Sequence, residues 1–338
     1  MPSQLETGKP RHGGRFTPNL CGQSRPWSLV FNRATGLRIL CYHGVCADEA
    51  GASPWVRSHF VTASQFRHHV ELLLRRGCVA YLPDVIPRMK QFGERAGPHF
   101  AITFDDVAAC TFVHARPVLH RLGIRASFFV ATGHVTTGRL FCGDLVHLLR
   151  CEGRRSDCAK DRAMDPVLAK AYSYKQMTLE EADAMNSQAE AILHDRLDPS
   201  IREALRPMNW DEVAQLAADG HEIGAHTVDH VILGRQTPQV RREQIANSVL
   251  DLERRLQTKV TGFAYPNGGP GDFGPPDRTV LHELGVQYAL TTRPGSVDGE
   301  DVFSLPRISV GLGHTRRRFA LELTGVLDRR RRRQYGWR

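Results

Sequence analysis

Two aspartates, Asp105 and Asp106, stand side by side directly after the apolar run Phe100-Ala101-Ile102-Thr103-Phe104. Adjacent carboxylates repel, and one keeps its proton unless a cation neutralises the pair. At a strand end, neighbouring side chains point in different directions. One carboxylate can therefore bind a metal while the other faces the metal's water. The competing reading is that either aspartate merely caps the next helix. Further along, His226-Thr227-Val228-Asp229-His230 spaces two imidazoles four apart. Sixteen histidines in 338 residues produce ~0.8 such pairs by chance, so context must carry the weight. The context is a preceding Gly-containing strand end, Glu222-Ile223-Gly224-Ala225. Two neutral imidazoles and one carboxylate make three N/O ligands and leave a position open for water, as in catalytic zinc sites. Such water reaches a pKa of about 7. The expected ligands are Asp106, His226 and His230, with Asp105 free to act as general base. The loop Pro266-Asn267-Gly268-Gly269-Pro270-Gly271 after Tyr265 offers backbone N–H groups to an oxyanion. A leaving amine needs a proton, and His314 and His43 are the candidate donors.

These residues need elements to place them. Leu37–Tyr42 has strand length and ends at His43. Residues 62–76 show helical spacing at Phe66, Val70, Leu73 and Leu74, with Gly77 as the stop. Val79–Leu82 is a strand candidate. The run 100–104 is followed by a helix with Val113, Pro117, Val118 and Leu122 as expected core positions and Gly123 as its cap. Ala126–Ala131 is the next buried strand. Residues 138–207 are charged and helical in propensity, and read as an insertion. Asn209 N-caps a helix at 210–218. The remaining elements are a helix at 241–256, a strand at 260–265, a helix at 276–284, and strands at 286–291 and 303–310. The strand–helix–strand rhythm implies parallel pairing and right-handed crossovers. It fits an α/β barrel or a doubly wound sheet, and in both the active residues lie just past the C-terminal ends of strands.

Composition bounds the rest. Hydrophobic residues at 41% and charged residues at 24% are ordinary for a globular protein. The net charge of +9 is concentrated late, in Arg316-Arg317-Arg318 and Arg329–Arg333. Without a nucleic-acid signature this reads as a solvated tail over 316–338, able at most to touch an anionic membrane weakly. No nucleic-acid partner is expected. None of the eight cysteines forms a Cys-x-x-Cys pair, and several lie in apolar runs, as Cys41 does. Residues 1–36 read as a disordered leader without the apolar core of a secretory signal, and no run reaches membrane-span length. The expected location is cytoplasmic.

The motifs, in their order, resemble the polysaccharide deacetylases, the nodulation-type chitooligosaccharide deacetylase group (carbohydrate esterase family 4). The matching stretches are Leu40-Cys41-Tyr42-His43, Thr103-Phe104-Asp105-Asp106, residues 123–130, residues 220–230, Phe263-Ala264-Tyr265-Pro266-Asn267-Gly268 and Leu305-Pro306-Arg307-Ile308. The resemblance covers residues 37 to 311. It implies a distorted (β/α)7 barrel over 37–315, interrupted by the insertion at 138–207. It also implies a divalent metal, zinc, and a carbohydrate substrate losing N-acetyl or, less often, O-acetyl groups. It assigns Asp105 as base and Asp106, His226 and His230 as ligands. Tyr265, Asn267, His43 and Arg307 would serve the oxyanion and substrate, with the N–H of Asn267 as oxyanion donor. Leu312-Gly313-His314 would be the late motif supplying the acid. The sequence departs from the family at Val107, where Gly is usual, at Ala264, where an Arg is typical, and in Leu140-Phe141-Cys142-Gly143-Asp144, which lacks Trp. The rival functions are hydrolysis of another amide, such as a formyl group on a small or lipid-linked amino sugar, and an inactive carbohydrate-binding homologue. The retained base and ligand set argues against the inactive reading.

Overall fold

A computed structural model describes residues 36–91, 98–155, 167, 169–170, 173–297 and 301–328. The expected leader, apart from Gly36, and the run Arg329–Arg333 lie outside the described residues. Strand β1 (Leu37–Tyr42) is followed by β2 (Gly44–Cys46), β3 (Phe60–Thr62), α1 (Ala63–Arg76), β4 (Cys78–Val79) and α2 (Leu82–Val85). Then come β5 (His99–Phe104), α3 (Ala109–Leu122), β6 (Ser127–Val130) and α4 (Thr132–Thr137). Helices α5 (Cys142–Arg155), α6 (Leu179–Leu193) and α7 (Pro199–Leu205) make up the insertion. The alternation resumes with α8 (Trp210–Ala218), β7 (Glu222–Ala225), α9 (Pro238–Leu256), β8 (Gly262–Ala264), α10 (Pro275–Glu283), β9 (Tyr288–Leu290), β10 (Ile308–Ser309) and α11 (Arg316–Glu322).

The main sheet runs β10-β1-β5-β6-β7-β8-β9, every pairing parallel, with β4 beside the start of β5. A parallel bridge between Leu290 and Leu305 leads from β9 towards β10, so the seven strands form a nearly closed barrel. The register sets the level of the chemistry. Tyr42 pairs with Phe104, Phe104 with Phe128, Val130 with Ala225, Ala225 with Phe263, and Ala264 with Leu290. The residues just past these pairs, among them His43, Asp105, Asp106, His226 and Tyr265, therefore emerge at one rim.

Alternation along the strands separates two apolar clusters. Leu40, Tyr42, Ile102, Phe104 and Phe128 pack outward against the helices. Ile39, Ala101, Phe129, Ala264 and Leu290 pack together on the other face, inside the barrel. Below that layer Glu222 accepts from Ser127 Oγ at 2.5 Å, Thr261 Oγ1 at 2.8 Å and Tyr288 Oη at 2.5 Å. Three hydroxyl donors satisfy this buried carboxylate, although burial pushes its pKa up. The insertion has a core of its own, in which Leu145, Leu149, Met185, Ala189, Leu193 and Leu205 pack with Val56 and Phe60.

Several local expectations shift. Leu82 does not end a strand but opens α2, because Pro83 suits a first helical turn. The expected strand 303–310 shortens to Ile308–Ser309, since Pro306 has no N–H to give a ladder. In α3 the expected Val118 and Leu122 pack half-buried against the core, but the fully buried stripe is Thr111, Ala115 and Leu119, and Val113 is 56% exposed. There the small residues face the barrel, a phase that apolar periodicity alone misses. Arg316-Arg317-Arg318, read as the start of the tail, open α11, which buries Phe319 against His69 of α1. Cys41, Cys46 and Cys110 are buried free thiols, as expected for cysteines in apolar runs.

Candidate active site

The rim encloses a cavity of about 310 Å³ lined by Asp105, Asp106, His226, His230, His43 and Asn267. Asp106 Oδ1 lies 3.0 Å from His230 Nε2 and 3.4 Å from His226 Nε2. One donor atom from each of these three residues falls within 4.8 Å of the others, a spacing that suits a single ion. The donor chemistry fits as well. The Nδ1–H of His226 donates to the carbonyl of Ala264 at 2.7 Å, which leaves Nε2 with its lone pair towards Asp106. Asp106 Oδ1 is buried without a hydrogen-bond donor of its own. Burial raises the Asp106 pKa, but His230 and His226 outweigh it and hold the carboxyl well below the usual range. The same contacts raise His226 against the effect of its burial. Phe141, from the departing stretch 140–144, packs edge-on against His230 with centroids 5.4 Å apart.

Asp105 extends β5, its N–H donating to the carbonyl of Tyr42, and is 2% exposed. Arg307 was expected near the oxyanion or substrate. Instead it is buried completely inside the barrel, on the apolar layer and over Phe129. Its two terminal nitrogens donate to Asp105 Oδ1 at 2.7 Å and Oδ2 at 2.6 Å, and Nε donates to the Thr291 carbonyl at 2.8 Å. Cys41 Sγ adds a contact to Oδ2 at 3.5 Å. Burial alone would raise the Asp105 pKa, and the Arg307 guanidinium with His226 reverses this and holds it down. Arg307 thus meets the cavity lining through Asp105.

The other expected residues divide. His43 faces the cavity, its Nδ1 is buried without a partner, and its ring lies 4.6 Å from that of His59. Burial lowers its pKa, partly offset by the two aspartates. His314 does not reach the cavity. Its Nδ1 meets Gly311 and its Nε2 lies 3.4 Å from Glu322 Oε1, because the chain turns away from the rim after β10 and into α11. The Tyr265 side chain is buried too, donating to the Phe303 carbonyl at 3.1 Å and stacked on Phe273. Asn267 remains at the rim with φ 60°. Its side-chain amide donates to Asp272 at 2.5 Å and its Oδ1 accepts from Lys175 Nζ at 2.7 Å. Sequence reasoning missed the remaining wall: Arg57 and His59 from the loop before β3, and Tyr174, Lys175 and Asn186 from the insertion. Nothing in their spacing marks them, because long-range packing alone brings them to the rim.

Five of the six non-glycine residues with positive φ among the described residues cluster here, the sixth being Gln257 at the end of α9. Asp106 (64°), Val107 (47°), Thr227 (63°), His230 (53°) and Asn267 (60°) all lie in rim loops. Val107, where glycine was expected, is a β-branched residue in left-handed backbone, an uncommon and costly state.

Comparisons with known proteins bear on the family and the fold. A family model described as Polysaccharide deacetylase matches residues 92–289, more than half of the chain. The curated Bacillus subtilis (strain 168) protein YxkH, provisionally named a polysaccharide deacetylase, is 26% identical over 104 residues. That match spans 30% of this chain and 36% of the relative's length. Among solved structures, the Streptococcus pyogenes deacetylase PplD in complex with acetate is 16% identical, with a TM-score of 0.58 over 86% of this chain and 99% of that one. IcaB from Ammonifex degensii is 19% identical, with a TM-score of 0.57 over 86% and 98%. At these identities the structures speak for the shared fold. Matched by its family model over the strands that carry both aspartates and both histidines, the chain belongs to the polysaccharide deacetylase family, hydrolases of carbon–nitrogen bonds other than peptide bonds.

Proposed function

We propose that this protein is a metal-dependent deacetylase that removes N-acetyl groups from a carbohydrate. The observation that carries the reading is the meeting, in one cavity, of the group Asp106, His226 and His230 with a separate carboxylate, Asp105, kept ionised by Arg307. Asp106, His226 and His230 would hold a divalent ion, zinc by its preference for such N/O sets. That ion supplies Lewis-acid polarisation and lowers the pKa of water in its site. Asp105 accepts a proton from the attacking water. Being acidic, it is a weak base, but it is ready across the neutral range. The N–H of Asn267 donates to the oxyanion that develops on the acetyl carbonyl. Bond formation from water oxygen to the carbonyl carbon is followed by cleavage of the C–N bond. The departing nitrogen needs the proton that water lost. His43 would carry it, a role supported by a ring nitrogen within 4.8 Å of an Asp105 oxygen. Acetate and a free amino sugar result.

The test is acetate release from a panel of N-acetylated sugars, with chelator treatment and metal restoration as controls. Asp105→Asn should lose turnover while keeping its metal. Full activity in that variant removes the base assignment, and chelator-resistant turnover removes the metal.

A further inference from the structure

Besides its aspartates the cavity carries two cationic side chains, Lys175 and Arg57, on a wall to which the insertion contributes. Lys175 is not a loose surface side chain. Its ammonium donates to Asn267 Oδ1 at 2.7 Å, and the other end of that amide is pinned to Asp272 Oδ2 at 2.5 Å. Asp272 is itself taken up by the N–H of Gly269 at 2.7 Å. Lys175 thus has a fixed position at the rim, bonded to a neutral amide, with no carboxylate at ion-pair distance among the described residues. Arg57 shares the cavity and gives Nη1 to Asp144 at 2.9 Å. Gly143 makes room for it, since a Cβ at 143 would stand 2.6 Å from that nitrogen. Asp144 lies against Arg57, and Asp272 lies 3.8 Å from Arg235, so three cations here stand against two carboxylates. The Asp229 carboxylate also borders the cavity, but it accepts from Gln244 and lies beside Gly133, on the side of α4 and α9. Burial and the charge of Arg57 lower the Lys175 pKa, and the Asp272 carboxylate offsets them in part.

We propose that this wall is a subsite for an anionic substituent, a phosphate or a carboxylate, on the acylated sugar, with Lys175 as its main contact and Arg57 beside it. The proposal rests on the cavity being the site of amide hydrolysis. A neutral sugar leaves the ammonium of Lys175 in contact only with a neutral amide, whereas an anionic one supplies a contacting counter-charge at a position fixed by the Asn267 clamp.

The test is calorimetric titration of the full chain, stripped of metal by chelator so that nothing turns over and no cation captures the anion. The probes are N-acetylglucosamine, N-acetylglucosamine 1-phosphate and N-acetylmuramic acid, at low salt. At least one anionic sugar should bind about tenfold more tightly than the neutral one, and the two anionic probes separate phosphate from carboxylate. Lys175→Gln should bring the ratio to within about twofold, and Lys175→Arg should keep most of it. Equal affinities in the unaltered protein, or a ratio untouched by Lys175→Gln, overturn the subsite. So does an equal loss of acetate release from neutral and anionic sugars in Lys175→Gln, because that pattern places the ammonium at the reacting carbonyl. Acetate release by the metal-loaded protein is measured separately, so a failure of the hydrolase reading leaves the binding ratio interpretable.

Discussion

Replacing Arg307 with methionine removes a guanidinium that is 0% exposed and makes a two-pronged contact with Asp105, at 2.7 and 2.6 Å, besides a bond to the Thr291 carbonyl. Breaking a buried ion pair from one side strands the other charge, at a typical cost of about 3–5 kcal/mol. Against a total stability of about 5–15 kcal/mol, this is a large but survivable loss. The pH dependence is the sharper part. In the unaltered protein the Asp105 pKa is depressed in the folded state. Its stabilising contribution is therefore complete above the unfolded carboxylate value of about 4, and is lost as pH falls through the lower folded value. In Arg307→Met, burial is the largest remaining influence and pushes the pKa up. The variant's carboxyl is then stabilising only in its protonated form, below about 4, and loses that stability as pH rises through its new folded value. The gap between the two proteins should thus widen from pH 4 upward. Urea unfolding across this range measures it directly. Asp105→Asn combined with Arg307→Met should cost less than the sum of the single changes by at least about 1.5 kcal/mol. The acid limb of kcat/KM for acetate release should also move to higher pH. Single changes that add to within about 0.5 kcal/mol, together with a pH-independent gap, would refute the claim that Arg307 holds Asp105 ionised.

Three further outcomes follow from the same geometry. Zinc at a hundred times its dissociation constant should stabilise the fold by about 2.7 kcal/mol, seen as a rise in Tm that chelator reverses; His226→Ala should abolish the rise, and an unchanged response in that variant counts against the ligand set. Val107→Gly should be no worse than Val107→Ala in urea, because relief of about 1–3 kcal/mol of left-handed strain offsets the usual glycine penalty of about 0.5–1 kcal/mol; a glycine variant weaker than the alanine variant by that full penalty removes the strain argument. Glu222 has a raised pKa from burial, so its contribution is present below the unfolded carboxylate value and is lost as pH rises through the folded one. Glu222→Gln should therefore gain on the unaltered protein as pH rises above the unfolded carboxylate value of about 4, checked by urea midpoints, and a gap that shrinks with pH contradicts the assignment.

The barrel was legible because its strands are short apolar runs ended by polar residues, and parallel pairing brings those ends to one rim. By that rule Asp105, Asp106, His226 and His230 belong at the rim, and there they line one cavity. His314 could not be rejected by it, since Gly311 and Gly313 read equally well as a rim loop and as the bend that turns the ring back to Glu322. Arg307 was legible as a site residue but not in its role. Period-two alternation, counted forward from the inward-facing Leu305, puts 307 inside the barrel, where a guanidinium must find a carboxylate, and Asp105 is the one it meets. The two cationic side chains of the cavity were invisible for a different reason. Lys175 and Arg57 lie far from every motif, and the insertion core that carries Lys175 to Asn267 is made of contacts between residues remote in sequence.

The rim loops also explain how a site this irregular can persist. Left-handed backbone at non-glycine residues costs about 1–3 kcal/mol each and survives only where surrounding bonds leave the chain no alternative. Each strained loop has such a clamp. Gln244 on α9 accepts from the N–H groups of Val228 at 3.1 Å and Asp229 at 2.9 Å, bracing the turn between His226 and His230. Asp272 holds the loop of Asn267 through Gly269. The carbonyl of Val107 accepts from Met208 N–H at 2.9 Å, and Ala109 N–H donates to Arg206, so the end of the insertion locks the turn after Asp106. The insertion is therefore tied to the aspartate loop as well as to the cavity wall. A change that loosens its attachment at residues 206–208 should free the Asp106 turn to relax, and weaken metal binding from a position no ligand occupies.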